Sequence, residues 1–130
     1  MTIRLVVDAS VVIAVLRGEP LDPRTVARLA SATICATNYA EVITYIAKLN
    51  DPDQRLRHLV AGLGLEVVPL DEDRAVAAGE LTPRTASSGL SLGDRCCLSL
   101  ARKLELPALT TDRAWTRIAD AVGVTVELAR

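Results

Sequence analysis

The chain has 130 residues, half of them apolar, and a formal net charge of −1. That length suits one domain with a real core, and that composition excludes a disordered chain. Near-neutral charge speaks against a surface built to coat nucleic acid, and a set of aromatics limited to Tyr39, Tyr45 and Trp115 speaks against a base-stacking platform.

The elements alternate along the chain. Ile3 to Val7 reads as a buried strand, followed by a short helix over Val11 to Leu16. After the break at Gly18-Glu19-Pro20, Asp22-Pro23 predicts an N-cap with proline at the first helical position, and that helix runs to about Ala30. Thr33 to Ala36 is a short strand. Thr37 or Asn38 caps a helix through Leu49. Asn50-Asp51-Pro52 stops it and starts another, which ends near Leu63 between Gly62 and Gly64. Leu65 to Leu70 is a strand limited by Pro69. Asp71 or Asp73 caps a helix to Leu81. Thr82 to Gly89, rich in small polar residues, reads as a loop. Ser91 caps a helix over Leu92 to Leu104, which Pro107 closes off. Ala108 to Thr110 is a strand, Asp112 caps a short helix containing Trp115, and Val124 to Leu128 is a last strand. No repeat or low-complexity segment interrupts this order.

Alternation of this kind predicts a parallel sheet with helices on both faces, in a single domain over residues 1–130. The ligand crevice of such a sheet lies outside the carboxyl ends of its strands. No apolar run reaches the roughly 18 residues that cross a membrane. The first apolar run is broken by Arg4 and Asp8 with no charged segment before it, so the expectation is a cytoplasmic protein without a signal peptide. Cys35, Cys96 and Cys97 form no C-x-x-C pair and are expected to be small buried filler rather than disulfides or zinc ligands. His58 lies in the polar stretch Gln54-Arg55-Leu56-Arg57-His58 and reads as a solvated helix residue.

Four acids stand out against this background. Asp8 closes the first strand and Asp112 follows the run Ala108-Leu109-Thr110-Thr111, so both face the expected crevice. Asp8 also suits the N-cap of the helix that begins near Ser10, unless Ser10 does that capping. Asp94 shares a helical face with Cys97, Leu98 and Ala101, where a carboxylate is costly unless paired or metal-bound, and Gly93 leaves the backbone open beside it. It also suits the helix dipole. Glu41 lies off the apolar stripe of Tyr39, Val42, Ile43 and Ile46 and, by periodicity, reads as a surface or first-turn residue. The cluster Asp71, Glu72 and Asp73 is explained by capping and solvation.

The stretches VVDASVVIAVL, TNYAEVITYI, GLSLGDRCCLSLAR and LTTDRAW, which span essentially the whole chain, resemble the PIN-domain ribonucleases, in particular the VapC toxins of bacterial toxin–antitoxin pairs. The segment Gly89 to Trp115 is the most specific, carrying two acids in the family's setting. The resemblance implies a PIN-like three-layer sandwich with a central, mainly parallel sheet. It also implies that Asp8, Glu41, Asp94 and Asp112 are catalytic and surround one or two Mg²⁺ or Mn²⁺ ions. Ser10 and Thr37, and less securely Thr111, match small hydroxyl positions near that site. The implied activity is hydrolysis of RNA by metal-activated water, leaving 5′-phosphate and 3′-hydroxyl ends. The implied partners are a cognate antitoxin, in a heteromer, and a second copy in a homodimer. Arg95 and Arg113, next to two of the acids, suit either RNA phosphates or solvated ion pairs.

Three rival readings are weaker. A non-catalytic RNA- or protein-binding module would keep the fold and need no metal. A phosphotransferase using Asp8 as nucleophile usually carries a second Asp two residues on, where this chain has Ser10. A receiver domain needs a Lys after a late strand, and none follows Ala108 to Thr111.

Overall fold

The computed structural model describes residues 4–130. Five parallel strands form one sheet in the order β3-β2-β1-β4-β5. They are β1 (Val6–Val7), β2 (Thr33–Cys35), β3 (Glu66–Val68), β4 (Ala108–Thr110) and β5 (Val126–Leu128). Between them lie α1 (Ala9–Leu16), α2 (Pro23–Arg28), α3 (Ala36–Ala47), α4 (Arg55–Ala61), α5 (Glu72–Glu80), α6 (Thr82–Thr85), α7 (Leu92–Leu104) and α8 (Ala119–Val122). The expected first strand is shorter than its apolar run, and its first residue, Ile3, lies outside the described residues.

The strands send alternate side chains to opposite faces, and each face has its own core. Leu5, Val7, Ile34 and Leu109 pack with Val11, Val12, Leu29, Val42 and Val60 under α1 to α4. Val6, Cys35 and Ala108 pack with Ala78, Leu98, Leu100, Trp115 and Val122 under α5 to α8. Trp115 is fully buried, and side chains of that size contribute on the order of 2–3 kcal/mol each through burial. The result is three layers, helices on sheet on helices. No helix of the described residues is long and apolar enough to cross a membrane.

Local chemistry sets most of the boundaries. Asp22 accepts from the Arg24 N–H with Pro23 at the start of α2, and Asp71 accepts from the Arg74 N–H at the start of α5. Ser91 and Asp94 form a reciprocal capping box at the start of α7. Gly64 turns the chain into β3 at φ +79, with the Ala30 carbonyl only 3.3 Å from where a Cβ would sit.

Three expectations need correction. Thr82 to Gly89 is not an open loop: it forms α6 and a 3₁₀ turn, Ala86–Ser88. Pro83 favours a first helical turn there, and the buried Thr85 hydroxyl donates to the Leu81 carbonyl at 3.0 Å. Neither Thr37 nor Asn38 caps α3, which begins at Ala36 directly off β2 with Cys35 at its N-cap position. The outer strands are also shorter than their apolar runs, β3 starting at Glu66 and β5 at Val126. The three cysteines are free and buried, and His58 is exposed on α4.

Candidate active site

The strand order reverses between β1 and β4. From β1 the chain moves outward through β2 to β3, then returns to the other side of β1 for β4 and continues to β5. Such a switch point opens a crevice at the carboxyl ends of the two central strands. Asp8 directly follows β1, and Asp112 lies two residues past β4. α3 leaves the same edge of the sheet because it follows β2 without a break. α7 precedes β4 and must run back across the sheet to reach it, so its first turn returns to that edge too. Topology therefore brings Asp8, Glu41, Asp94 and Asp112 to one end of the molecule.

Asp8 is the deepest, with 5% of its surface exposed. It occupies the N-cap position of α1 yet makes no capping hydrogen bond with its side chain. Its Oδ2 instead accepts from Ser10 Oγ at 2.7 Å and Thr110 Oγ1 at 2.9 Å. Both hydroxyls in turn accept from the β4 end, Ser10 Oγ from the Thr111 N–H and Thr110 Oγ1 from the Asp112 N–H, each at 3.1 Å. Burial pushes the Asp8 carboxyl above the usual range. The two hydroxyls oppose this, and the Asp94 charge adds to it.

Glu41 sits over α7. Asn38, one turn earlier on α3 and fully buried, donates Nδ2 to Glu41 Oε1 at 3.2 Å and to the Gly93 carbonyl at 3.0 Å. A Cβ on Gly93 would stand 1.9 Å from Glu41 Oε1, so the carboxylate occupies the space that a side chain there would fill. Burial raises the Glu41 pKa, and the charges of Asp8 and then Asp94 raise it further. Cys97 lies fully buried beneath, its thiol pushed well up by burial first and then by Asp8, Cys35, Asp94 and Glu41. Three of the four acids therefore share one electrostatic field.

Asp94 and Asp112 are held differently. Asp94 Oδ2 accepts from the Ser91 N–H at 2.9 Å, completing the capping box. The apolar face it was expected to burden is relieved by this bond and by partial exposure. Asp112 Oδ1 accepts from the Ala114 N–H at 2.9 Å and caps the 3₁₀ turn Arg113–Arg117. Arg95 donates to the Thr82 hydroxyl and Arg113 to the Arg130 carbonyl, and neither makes an ion pair among the described residues.

The donor set is made entirely of carboxylate oxygens, with no histidine or thiolate aimed into it. Such a set suits Mg²⁺ or Mn²⁺. Mutual repulsion among Asp8, Glu41 and Asp94 is the condition a divalent cation relieves. Among the described residues no group of three His, Cys, Asp or Glu side chains closes on a single metal position. An ion here would rest on one or two carboxylates at a time and complete its shell with water and substrate oxygens, which is the habit of Mg²⁺.

Sequence reasoning misses one residue of the site and gives two others a different role. Thr110, not Thr111, carries the hydroxyl against Asp8. The adjacent pair Thr110-Thr111 at the end of a buried apolar strand marks the place, but nothing in the sequence selects between the two. Asn38, the alternative to Thr37 as the expected cap, instead orients Glu41, and its position one helical turn before that acid is the clue. Gly93 was read as open backbone beside Asp94, whereas the space it leaves belongs to Glu41.

The PIN-domain model matches residues 5–121. A search of curated protein sequences returns no match. Among solved structures, a chain of the VapBC2 complex from Rickettsia felis, bound to a DNA fragment from its promoter, superposes with a TM-score of 0.78. It is 18% identical, over 98% of this chain and 100% of that one. DNA-bound VapBC from Salmonella typhimurium gives 0.77 at 21% identity, over 98% and 99%. VapBC-5 from Mycobacterium tuberculosis, a member of the VapBC family of toxin–antitoxin systems, gives 0.68 at 26% identity, over 98% of both chains. With the family model spanning residues from before β1 to α8, and with the acid-lined end of the sheet built as described, the chain belongs to the PIN-domain family.

Proposed function

We propose that this chain, as a single PIN domain, is a metal-dependent endoribonuclease and the toxin of a VapBC-type toxin–antitoxin module. The observation that carries the reading is the electrostatic coupling of Asp8, Glu41 and Asp94 at the switch point of the sheet, with Asp112 tied to Asp8 through the Thr110 hydroxyl. The likeness to chains of VapBC complexes over nearly the whole length supports the toxin assignment.

Asp8, Glu41, Asp94 and Asp112 would hold Mg²⁺, one or two of them directly and the others through its waters, with Mn²⁺ as a substitute. When bound, a divalent ion polarises a phosphoryl oxygen and lowers the pKa of a coordinated water. Ser10 and Thr110 fix one oxygen of Asp8 and leave its other oxygen free of their hydrogen bonds. Asn38 and Gly93 set the place of Glu41, and the capping bonds of Asp94 and Asp112 do the same for theirs. The reaction is in-line hydrolysis of an RNA phosphodiester, leaving 5′-phosphate and 3′-hydroxyl ends. The cognate antitoxin lays a segment across the crevice and offers a cation, Arg above all, to the carboxylates. The toxin acts in the cytoplasm, as a homodimer or in a heteromer with the antitoxin.

Incubation of the purified protein with RNA, with Mg²⁺, with Mn²⁺ and with EDTA, tests this reading. The expected result is cleavage that needs the metal and disappears in a folded Asp8→Asn variant. Undiminished cleavage by that variant overturns the mechanism. Calorimetric titration that finds no Mn²⁺ binding replaces it with a non-catalytic RNA- or protein-binding module.

A further inference from the structure

Net charge near zero conceals a segregation of charge along α7. Its first turn carries Asp94 beside the other acids, and its far end carries Arg102 and Lys103. On the helix, Arg95, Ser99 and Arg102 fall at i, i+4 and i+7, one face, which looks toward α5 and α6 rather than into the core. A cavity of about 340 Å³ lies along that face. Its wall brings together Arg74 from α5, Arg84 from α6 and Arg102 and Lys103 from α7, against a single acid, Glu80. Among the described residues none of these four cations makes an ion pair. Arg74 is fixed in place by donating Nη1 to the Ser99 carbonyl at 3.1 Å.

The helix dipole accounts for Arg102 and Lys103 in the last turn of α7. It does not account for Arg74 and Arg84, which come from two other helices and converge on the same cavity at a cost in mutual repulsion. Such convergence is what a polyanion relieves. The eight residue steps from Asp94 to Arg102 span about 12 Å of helix, a reach of a few nucleotides. Arg95, hydrogen-bonded to Thr82 of α6, stands between the two ends. A cavity of this volume is in the range of small-ligand sites and admits a phosphate with its sugar.

We propose that the cavity between α5, α6 and α7 is a phosphodiester subsite that grips the RNA backbone a few nucleotides from the scissile bond. It rests on the ribonuclease reading, and its test separates the two. The probe is a fluorescein-labelled single-stranded oligouridylate of 12 nucleotides, bound in EDTA so that no cleavage occurs and followed by anisotropy across a salt series. The variant Arg102→Gln/Lys103→Gln is expected to bind about tenfold more weakly at low salt. Its slope of log K against log salt should shrink by about 1.4, because two single-strand phosphate contacts contribute roughly 0.7 each. The control Lys48→Gln/Arg55→Gln removes the same charge from the α3–α4 side and is expected to keep the wild-type slope. An unchanged slope in the first variant, an equal loss in the control, or no binding by the wild type overturns the subsite. A thermal shift by inorganic phosphate that needs Arg102 and Lys103, without any effect of the same residues on RNA binding, also overturns it and leaves a free-phosphate site. Wild-type RNA binding through Arg102 and Lys103 without cleavage in Mg²⁺ refutes the nuclease reading and keeps the subsite. Cleavage with an unaffected variant does the reverse.

Discussion

The four acids at the end of the sheet divide into two pairs that the fold treats in opposite ways. Asp94 and Asp112 work for their own helical turns, each accepting a backbone N–H. Asp8 and Glu41 cap nothing: Asp8 is sealed beneath two hydroxyls, Glu41 is laid across a glycine with its outer side exposed, and desolvation together with neighbouring negative charge pushes both carboxyls up. A carboxylate that caps a helix stabilises the fold, whereas one held beside like charges without a cap to make burdens it. The outer pair would persist in a protein with no chemistry to perform. The inner pair is the stronger mark of function, because stability gives no reason to keep it.

The sharpest way to break this division is Asp8→Asn. The amide keeps an oxygen to accept from Ser10 and Thr110 and removes the charge. We expect metal-dependent cleavage to fall by at least about a hundredfold while the melting temperature of the metal-free protein holds or rises. A melting temperature lowered by several degrees would place Asp8 with the structural acids. Gly93→Ala is next. The new methyl enters the space of a flexible carboxylate end, so Glu41 moves and the backbone stays. Activity should drop about tenfold, roughly the loss of one misplaced polar contact, while helix propensity adds up to about 1 kcal/mol of stability. Urea melts and cleavage rates on the same preparation decide it, and unchanged activity would show that Glu41 needs no fixed seat.

Asp112 tests the outer pair. Asn caps a helix about as well as Asp, so Asp112→Asn should leave stability within about 0.5 kcal/mol, whereas Asp112→Ala should cost about 1 kcal/mol. Cleavage should fall in both. Equal stability in the two variants would mean that the capping bond contributes nothing.

The outer pair was legible in the sequence because its cues are local. Ser91 three residues before Asp94, and Asp112 at the end of a strand, are patterns of adjacent residues with one physical reading. Alternation of strands and helices likewise carried the parallel sheet and the grouping of Asp8 with Asp112. The inner pair depends on contacts far apart in the chain. Glu41 reads as a surface residue on its own helix and is one; what only the packing of α3 against α7 shows is the glycine beneath it. Thr110 meets Asp8 across 102 positions, and no spacing rule selects it over Thr111. Thr82 to Gly89 failed for the opposite reason: small polar residues suggested a loop, while Pro83 and the Thr85 back-bond to Leu81 close a turn that composition does not reveal.

The smallest effect separates the pairs by pH. Asp8 and Glu41 hold their protons more tightly in the folded chain than the usual values of 3.8 and 4.5. The folded state therefore binds more protons than the unfolded state from those values up to the raised ones. Stability contributed by this pair falls as pH rises through that window, and the burden is fully present above the raised values. Glu19 and Asp22, lowered mainly by hydrogen bonds from Arg130 and Arg24, act with the opposite sign, lending stability that disappears as pH falls. Thermal melts in EDTA from acid to neutral pH should therefore be read as the difference between the wild type and Asp8→Asn. That difference should widen in favour of the variant as pH rises, and saturating Mg²⁺ should close it at neutral pH by stabilising the wild type. A difference that ignores both pH and Mg²⁺ would put the charge of Asp8 outside both the burden on the fold and the metal site.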